Sequence, residues 1–300
     1  MKLGTRGSPL ALAQATIVAA RLRQLGADVE IVPMRTEGDR LLEARLAAIG
    51  GKGLFVKEIE EALLAGTIDA AVHSLKDLPA ELPAGLMLGA FPEREDPRDV
   101  LVTRTGARFQ DLPAGAVIGT SSPRRRALAL ALRPDLTVEP IRGSVETRLR
   151  KLEGGGWDAV ILAAAGLSRL GLVPGHASPL DPEVWVPAVG QGILGIEVCE
   201  SDRRVRPVVD RLDHGPTRAC ALAERAYLGR LGASCNTPMA AHAVLEGSRL
   251  RITAFVASED GRKVLRGGDG GAPDEAEVIG VRLAEALLDR GAAAVTALRV

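Results

Sequence analysis

The sequence is short of aromatic residues, with four Phe, two Trp and one Tyr in 300 positions. It also carries no net charge, since 38 Lys and Arg meet 38 Asp and Glu. A nucleic-acid binder needs a basic footprint and rings on which bases stack, so both shortages argue against one. Cysteine is scarce as well. Cys199, Cys220 and Cys235 are too few and too scattered for a disulfide framework. None of the four histidines, His73, His176, His214 and His242, stands beside a second His or Cys at zinc-ligand spacing, so no metal site is predicted. No apolar run approaches the roughly 20 residues of a membrane span. The N-terminal stretch lacks the layout of an export signal, because Gly4, Gly7, Pro9 and Gln14 break its apolar run. These absences predict a soluble, cytoplasmic chain with neither a membrane nor a nucleic-acid partner.

What is present describes an ordinary globular protein: 46% apolar and 25% charged residues, a balance that excludes disorder as the main state. The length predicts about two domains. Apolar runs alternate with longer amphipathic stretches, which predicts α/β layers. Strands are expected at Val29–Pro33, Ile68–Val72, Val117–Gly119, Ala159–Ala163 and Ile193–Val198. Helices are expected at Pro9–Leu25 and Pro123–Leu132, each opened by a Ser N-cap and a Pro in the first turn.

Those two helix starts belong to a wider internal similarity. Leu3 to Pro9 resembles Ile118 to Pro123, Val29 to Arg35 resembles Val138 to Arg142, and Gly66 to Val72 resembles Gly156 to Val160. Three matches in one order predict two similar α/β domains with a cleft between them. The stretch Phe91 to Asp99, acidic and holding two prolines, reads as a hinge or as a solvated loop. After about Asp213 a third region follows, with a helix near 217–231, a strand at Leu250–Ala257 and a helix near 274–290. It reads as a small α+β domain.

Three constellations carry chemistry. The two Ser-Pro helix starts offer free N–H groups and a positive dipole end, which suit anions. Arg6 and Ser8 flank the first; Thr120, Ser121, Ser122, Arg124 and Arg125 flank the second. Either start alone would be simple capping, but two with arginines at related places point to two anion sites. Arginine grips carboxylates bidentately, and no nucleotide-type glycine loop is present. In the second constellation, Asp69 to Pro79, a buried strand delivers Ser74, Lys76 and Asp77 to its C-terminal end, where open α/β sheets bind ligands. Lys76 and Asp77 cannot both point inward from a strand, so a turn is expected there. A bare strand-end turn with a surface ion pair is the competing reading. The third is the small-residue turn Gly232-Ala233-Ser234-Cys235, whose cysteine is either an attachment point or incidental. On the residues alone, a non-catalytic binder of small anions and a pyridoxal-phosphate enzyme using Lys76 also fit.

Taken together the motifs resemble one family, porphobilinogen deaminase (hydroxymethylbilane synthase), over nearly the whole chain. They are Arg6 to Leu12, Gly50 to Phe55, His73 to Pro79, Glu93 to Asp99, Gly119 to Ser122, Arg142-Gly143 with Thr147 to Leu149, Pro187 to Gly192, and the cysteine turn. The resemblance implies an α/β fold of two domains like the lobes of periplasmic binding proteins, with doubly wound mixed sheets, plus a small α+β C-terminal domain. The implied domains are 1–92 with 191–212, 98–188, and 213–300. It further implies a transferase that joins four porphobilinogen molecules head to tail into hydroxymethylbilane, with loss of ammonia. One dipyrromethane cofactor per chain would sit on Cys235 through a thioether, and Asp77 would be the catalytic carboxylate. Cofactor and substrate binding would fall to Arg6, Ser8, Gln14, Lys52, Ser74, Lys76, Thr120, Ser121, Ser122, Arg124, Arg125, Arg142, Arg148 and Gln191. The implied protein is a cytoplasmic monomer acting in tetrapyrrole biosynthesis, able to hand its product to uroporphyrinogen-III synthase. The chain departs from the family pattern at Pro123, Ser144, Ser234 and Asn236-Thr237-Pro238.

Overall fold

A computed structural model of the chain describes residues 1–34, 56–232 and 237–296. Lys52 and the Gly50 to Phe55 motif lie outside the described residues, as does Cys235.

The chain opens with strand β1 (Lys2–Arg6), whose middle is buried. Ser8 then stops the strand and starts a helix: its hydroxyl accepts a hydrogen bond from the Ala11 N–H at 3.3 Å, and Pro9 presets the first helical turn. Helix α1 (Pro9–Gln24) buries Gln14, Ala15, Val18, Ala19 and Leu22, a stripe at helical spacing. Strand β2 (Glu30–Met34), helix α2 (Lys57–Leu64), strand β3 (Ala70–Ser74) and strand β4 (Leu86–Ala90) follow. Strand β5 (Asp99–Thr103), β6 (Val117–Gly119), α3 (Pro123–Leu132), β7 (Thr137–Glu139), α4 (Val145–Glu153), β8 (Ala159–Ala163), α5 (Ala164–Arg169) and β9 (Ala177–Pro179) come next. Strand β10 (Leu194–Cys199), helix α6 (Arg206–Val209), helix α7 (Gly215–Arg230), strands β11 (Met239–Glu246), β12 (Arg249–Ala257) and β13 (Val264–Gly271), and helix α8 (Ala276–Asp289) complete the main elements.

Backbone contacts divide the chain into two compact units, Met1–Arg94 with Ile193–Arg218, and Glu95–Gly192 with Ala219–Val300. The first unit holds one five-stranded sheet in the order β2-β1-β3-β10-β4. Strand β1 runs parallel to both its neighbours, while β10 runs antiparallel to β3 and β4. Successive strand residues face opposite sides, so Ala70 and Val72 join Leu3, Ile196 and α1 in one core, and Ala71 joins Ile59 and Leu63 of α2 in the other. Helices therefore cover both faces.

The second unit repeats this plan. Its five-stranded sheet has the order β7-β6-β8-β5-β9, with β6 parallel to β7 and β8, and β5 antiparallel to β8 and β9. Strands β6, β7 and β8 stand where the internal similarity predicts, as the counterparts of β1, β2 and β3. Helix α3 packs with Ile118, Ala159 and Ile161 on one face, and α4 and α5 pack with Val100, Val160 and Leu162 on the other. Both sheets are thus doubly wound and mixed, as expected.

The same unit carries the α+β part, an antiparallel sheet β11-β12-β13 backed by α7 and α8 through Tyr227, Leu231, Ile279 and Leu283. Its other face turns Ala240, Phe255 and Ala257 into the core that contains Leu128 and Trp185. Among the described residues no helix is long and apolar enough to cross a membrane.

Candidate active site

Strand β3 reads Ala-Ala-Val-His-Ser and is buried until its last residue. A single 3₁₀ turn, Leu75–Asp77, then ends it. Leu75 anchors the turn: it is buried, and its N–H donates to the Ile193 carbonyl at 3.0 Å. The turn resolves the Lys76 and Asp77 conflict foreseen above. Asp77 lines a pocket at the C-terminal end of β3, and Lys76 is not among the lining residues. Beside it the end of β1 supplies Arg6, and the first turns of α1 supply Ser8 and Gln14. Ser74 completes the polar wall, with Leu10, Ala11, Val56 and Val72 as the apolar part. Arg6, Ser8, Gln14, Ser74 and Asp77, far apart in sequence, therefore meet in one place. The empty space there is about 450 Å³, part of it open to solvent.

The geometry of this wall is fixed from behind. The Gln14 amide is buried and donates to the Ser74 hydroxyl at 2.8 Å, tying α1 to the end of β3. Asp77 is exposed and makes no side-chain hydrogen bond among the described residues, so its carboxylate remains available to a ligand. A guanidinium and an uncommitted carboxylate on one wall suit a ligand that offers both an anionic group and N–H donors.

The second unit places its predicted residues differently. Ser122 caps α3 by accepting from the Arg125 N–H at 3.4 Å, Thr120 accepts from the Ser122 N–H at 3.2 Å, and Ser121 donates to the Ile141 carbonyl at 2.8 Å. All three hydroxyls hold backbone. Arg124 and Arg125 turn inward onto Asp99, the first residue of β5 and wholly buried. Nη2 of Arg124 lies 2.8 Å from one carboxylate oxygen, and Nη2 of Arg125 lies 2.7 Å from the other. Trp185 Nε1 and Gln191 Nε2 donate to the same carboxylate at 2.8 and 2.9 Å. Burial by itself pushes the Asp99 carboxyl up, but the two guanidiniums and the Gln191 amide outweigh it and hold it well below the usual carboxylate range. Burial lowers the Arg124 guanidinium, and Asp99 opposes the shift.

Arg142 is exposed, and Arg148 is half-buried with Nε on the Gly143 carbonyl at 2.9 Å. Burial, aided by the like charge of Arg125, lowers the Arg148 guanidinium. An anion placed against Arg148 would oppose both effects.

Asp99 is the functional neighbour that sequence reasoning left within a supposed hinge. The available signal was a carboxylate heading the apolar run Val-Leu-Val of a buried strand, which must find cations once buried. Glu60 and Glu197, below the pocket, gave no sequence signal.

Fold and site together define a class: a two-unit, doubly wound α/β protein with a pocket at the C-terminal ends of its strands that brings an arginine and a carboxylate together. The chain belongs to the porphobilinogen deaminase family. Residues 1–207 match the model described as "Porphobilinogen deaminase, dipyromethane cofactor binding domain", and residues 218–289 match the family's C-terminal domain. The porphobilinogen deaminase of Geotalea uraniireducens (strain Rf4) is 49% identical over 293 residues, covering 97% of this chain and 92% of that one. That of Pelobacter propionicus (strain DSM 2379) is 50% identical over 297 residues, covering 98% and 96%. Among solved structures, a periplasmic substrate-binding protein of an ABC transporter from Coxiella burnetii matches 71% of this chain and 91% of its own, at 17% identity and a TM-score of 0.43.

Proposed function

We propose that this chain is a transferase that joins four porphobilinogen molecules head to tail into hydroxymethylbilane, releasing ammonia at each addition. Membership of the porphobilinogen deaminase family over nearly the full chain carries this reading. The pocket of Arg6, Ser8, Gln14, Ser74 and Asp77 supports it, because its residue chemistry fits a pyrrole bearing carboxylates. The family's dipyrromethane group fits on the same grounds: an arginine for an acetate or propionate, and an uncommitted carboxylate for pyrrole N–H groups. When bound, that group supplies a pyrrole carbon nucleophile. We assign its attachment to Cys235.

The chain's own residues have separable tasks. Asp77 accepts the substrate's pyrrole N–H, stabilises the positive charge that develops on the ring nitrogen as ammonia leaves, and takes up a proton. Arg6, Lys52, Lys76, Arg142 and Arg148 bind side-chain carboxylates. Gln14 orients Ser74, whose hydroxyl then meets the ligand. Thr120, Ser121 and Ser122 shape the start of α3. Arg124, Arg125 and Gln191 act through Asp99, holding the start of β5. The functional domains are 1–92 with 191–212, 98–188, and 213–300. The protein works as a cytoplasmic monomer whose product passes to uroporphyrinogen-III synthase.

Intact mass is the first test. The purified protein should exceed its sequence mass by two linked pyrrole units, react with Ehrlich's reagent, and lose both properties in Cys235→Ser. A protein of bare sequence mass that still consumes porphobilinogen would overturn the covalent assignment. Asp77→Ala should remain folded and lose about 10²–10³-fold in kcat, the scale of a preorganised electrostatic group. Near-normal turnover would remove Asp77 from the mechanism.

A further inference from the structure

Three ionisable groups behind the pocket have no task in the chemistry above. His73 lines the pocket, as the fourth residue of β3. Strand alternation turns it, with Ala71, to the face that α2 covers. Glu197 of the neighbouring strand β10 faces the same way, and its Oε2 lies 3.0 Å from His73 Nε2. That is ion-pair distance without hydrogen-bond alignment, and among the described residues neither oxygen of Glu197 receives a hydrogen bond. Glu197 is 0% exposed. From α2, Glu60 turns inward and lies near enough to feel both charges; among the described residues its Oε1 also receives no hydrogen bond. Burial and the Glu197 charge push the Glu60 carboxyl above its ordinary value, and His73 partly offsets them. Among the described residues, the titratable groups on the pocket side are Arg6 of β1 and Asp77 of the 3₁₀ turn, while α1 contributes Gln14 and no titratable group.

Apolar side chains would pack here at lower cost. A buried carboxylate without donors costs several kcal/mol even when paired, and among the described residues these two secure no helix cap and no loop. Buried ionisable groups of this kind at a pocket wall are candidates for function rather than packing.

We propose that His73, backed by Glu197 and Glu60, accepts the proton that each addition releases in the pocket. The proposal rests on the function given above. In each addition the C–N bond of the substrate's aminomethyl group breaks and a C–C bond to the α-carbon of the second ring forms. The C–H electrons of that α-carbon return to its ring as the proton leaves. The proton passes to His73, directly or by way of Asp77, and from there to the released ammonia, which departs as ammonium. Nothing is oxidised or reduced. Glu197 stabilises the imidazolium. Burial and Glu197 push the Glu60 carboxyl up, which disfavours a second negative charge in the buried group. Glu197 and Glu60 act through His73 and are positioning residues.

The test uses cofactor-loaded protein and two variants, His73→Gln and Glu197→Gln, each checked by intact mass. Turnover is measured with porphobilinogen and with porphobilinogen deuterated at its free α-carbon. Both variants should lose about 10²-fold in kcat at similar KM, the lower range for a proton-transfer group, and show a larger isotope effect than the parent. A second readout needs no turnover. Glu60 holds its proton more tightly folded than unfolded, so its share of stability is present at low pH and is lost as pH rises through its raised value. Glu197→Gln removes one cause of that shift and should flatten the fall of Tm with pH. Should Glu197→Gln fail to fold, Glu197→Asp gives the same two readouts with a smaller effect. Variants that keep the parent's isotope effect, or a Tm profile unchanged by the loss of Glu197, would overturn the proposal. A parent that consumes no porphobilinogen overturns the functional reading, and this proposal with it.

Discussion

Asp99 shows what a buried charge demands of its surroundings. Two guanidiniums, an indole N–H and an amide N–H surround one carboxylate. Removing it would leave Arg124 and Arg125 buried beside each other. Asp99→Ala should therefore lower the unfolding free energy by about 3–5 kcal/mol, measured by urea denaturation. The sign of the pH dependence follows from the depressed carboxyl. Its contribution is complete above the ordinary carboxylate range and is lost only as pH falls through the depressed value. The gap between parent and Asp99→Ala should then stay level from neutral pH down to about pH 5. This network was only partly legible beforehand. The sequence marked Arg124, Arg125 and Gln191 as special, and marked Asp99 as part of a connecting stretch. It could not show that they neutralise one another, because partners 26 to 92 residues apart are chosen by the fold.

At the scale of elements, the chain is more readable. Ser-Pro at both helix starts gives a hydroxyl cap and a preset first turn, and both helices begin where those residues stand. Strand β6 spans Val117–Gly119 and β8 spans Ala159–Ala163, the runs their apolar residues mark out. Ser8→Ala and Ser122→Ala should each cost about 1 kcal/mol of stability, checked by thermal denaturation. Packing between elements was not readable in this way. Gly261, in the turn between β12 and β13, has φ +71°, and a Cβ there would stand 2.6 Å from Ala131 N and 2.7 Å from Ala127 O of α3. Nothing in the neighbouring residues shows that this turn abuts α3. Gly261→Ala should destabilise the protein by more than the roughly 1–2 kcal/mol of the left-handed backbone alone, since α3 must also give way. A loss of less than that would show that the turn shifts freely.

For the whole molecule, the zero net charge conceals a division. Residues 1–100 carry 12 basic and 15 acidic groups, and residues 101–190 carry 11 and 8, a surplus of three positive charges. Much of that surplus is internal, because Arg124 and Arg125 face Asp99; Arg142 and Arg148 stay nearer the surface. Under the proposed function, screening should weaken capture of a carboxylate-rich substrate. Raising salt about tenfold should raise KM for porphobilinogen with little change in kcat, as steady-state kinetics would show. The sequence by itself determined the alternation of strands and helices, the internal repeat, the starts of the helices and the family. These rest on local periods, caps and spaced motifs, which are written into neighbouring residues. Tertiary structure alone decided that Arg6, Ser8, Gln14, Ser74 and Asp77 share one pocket, that Arg124 and Arg125 serve a buried carboxylate, and that His73 stands against Glu197. Those outcomes depend on sheet order and on which strand face each residue takes, and neither is settled until β10, near residue 196, pairs beside β3, near residue 72.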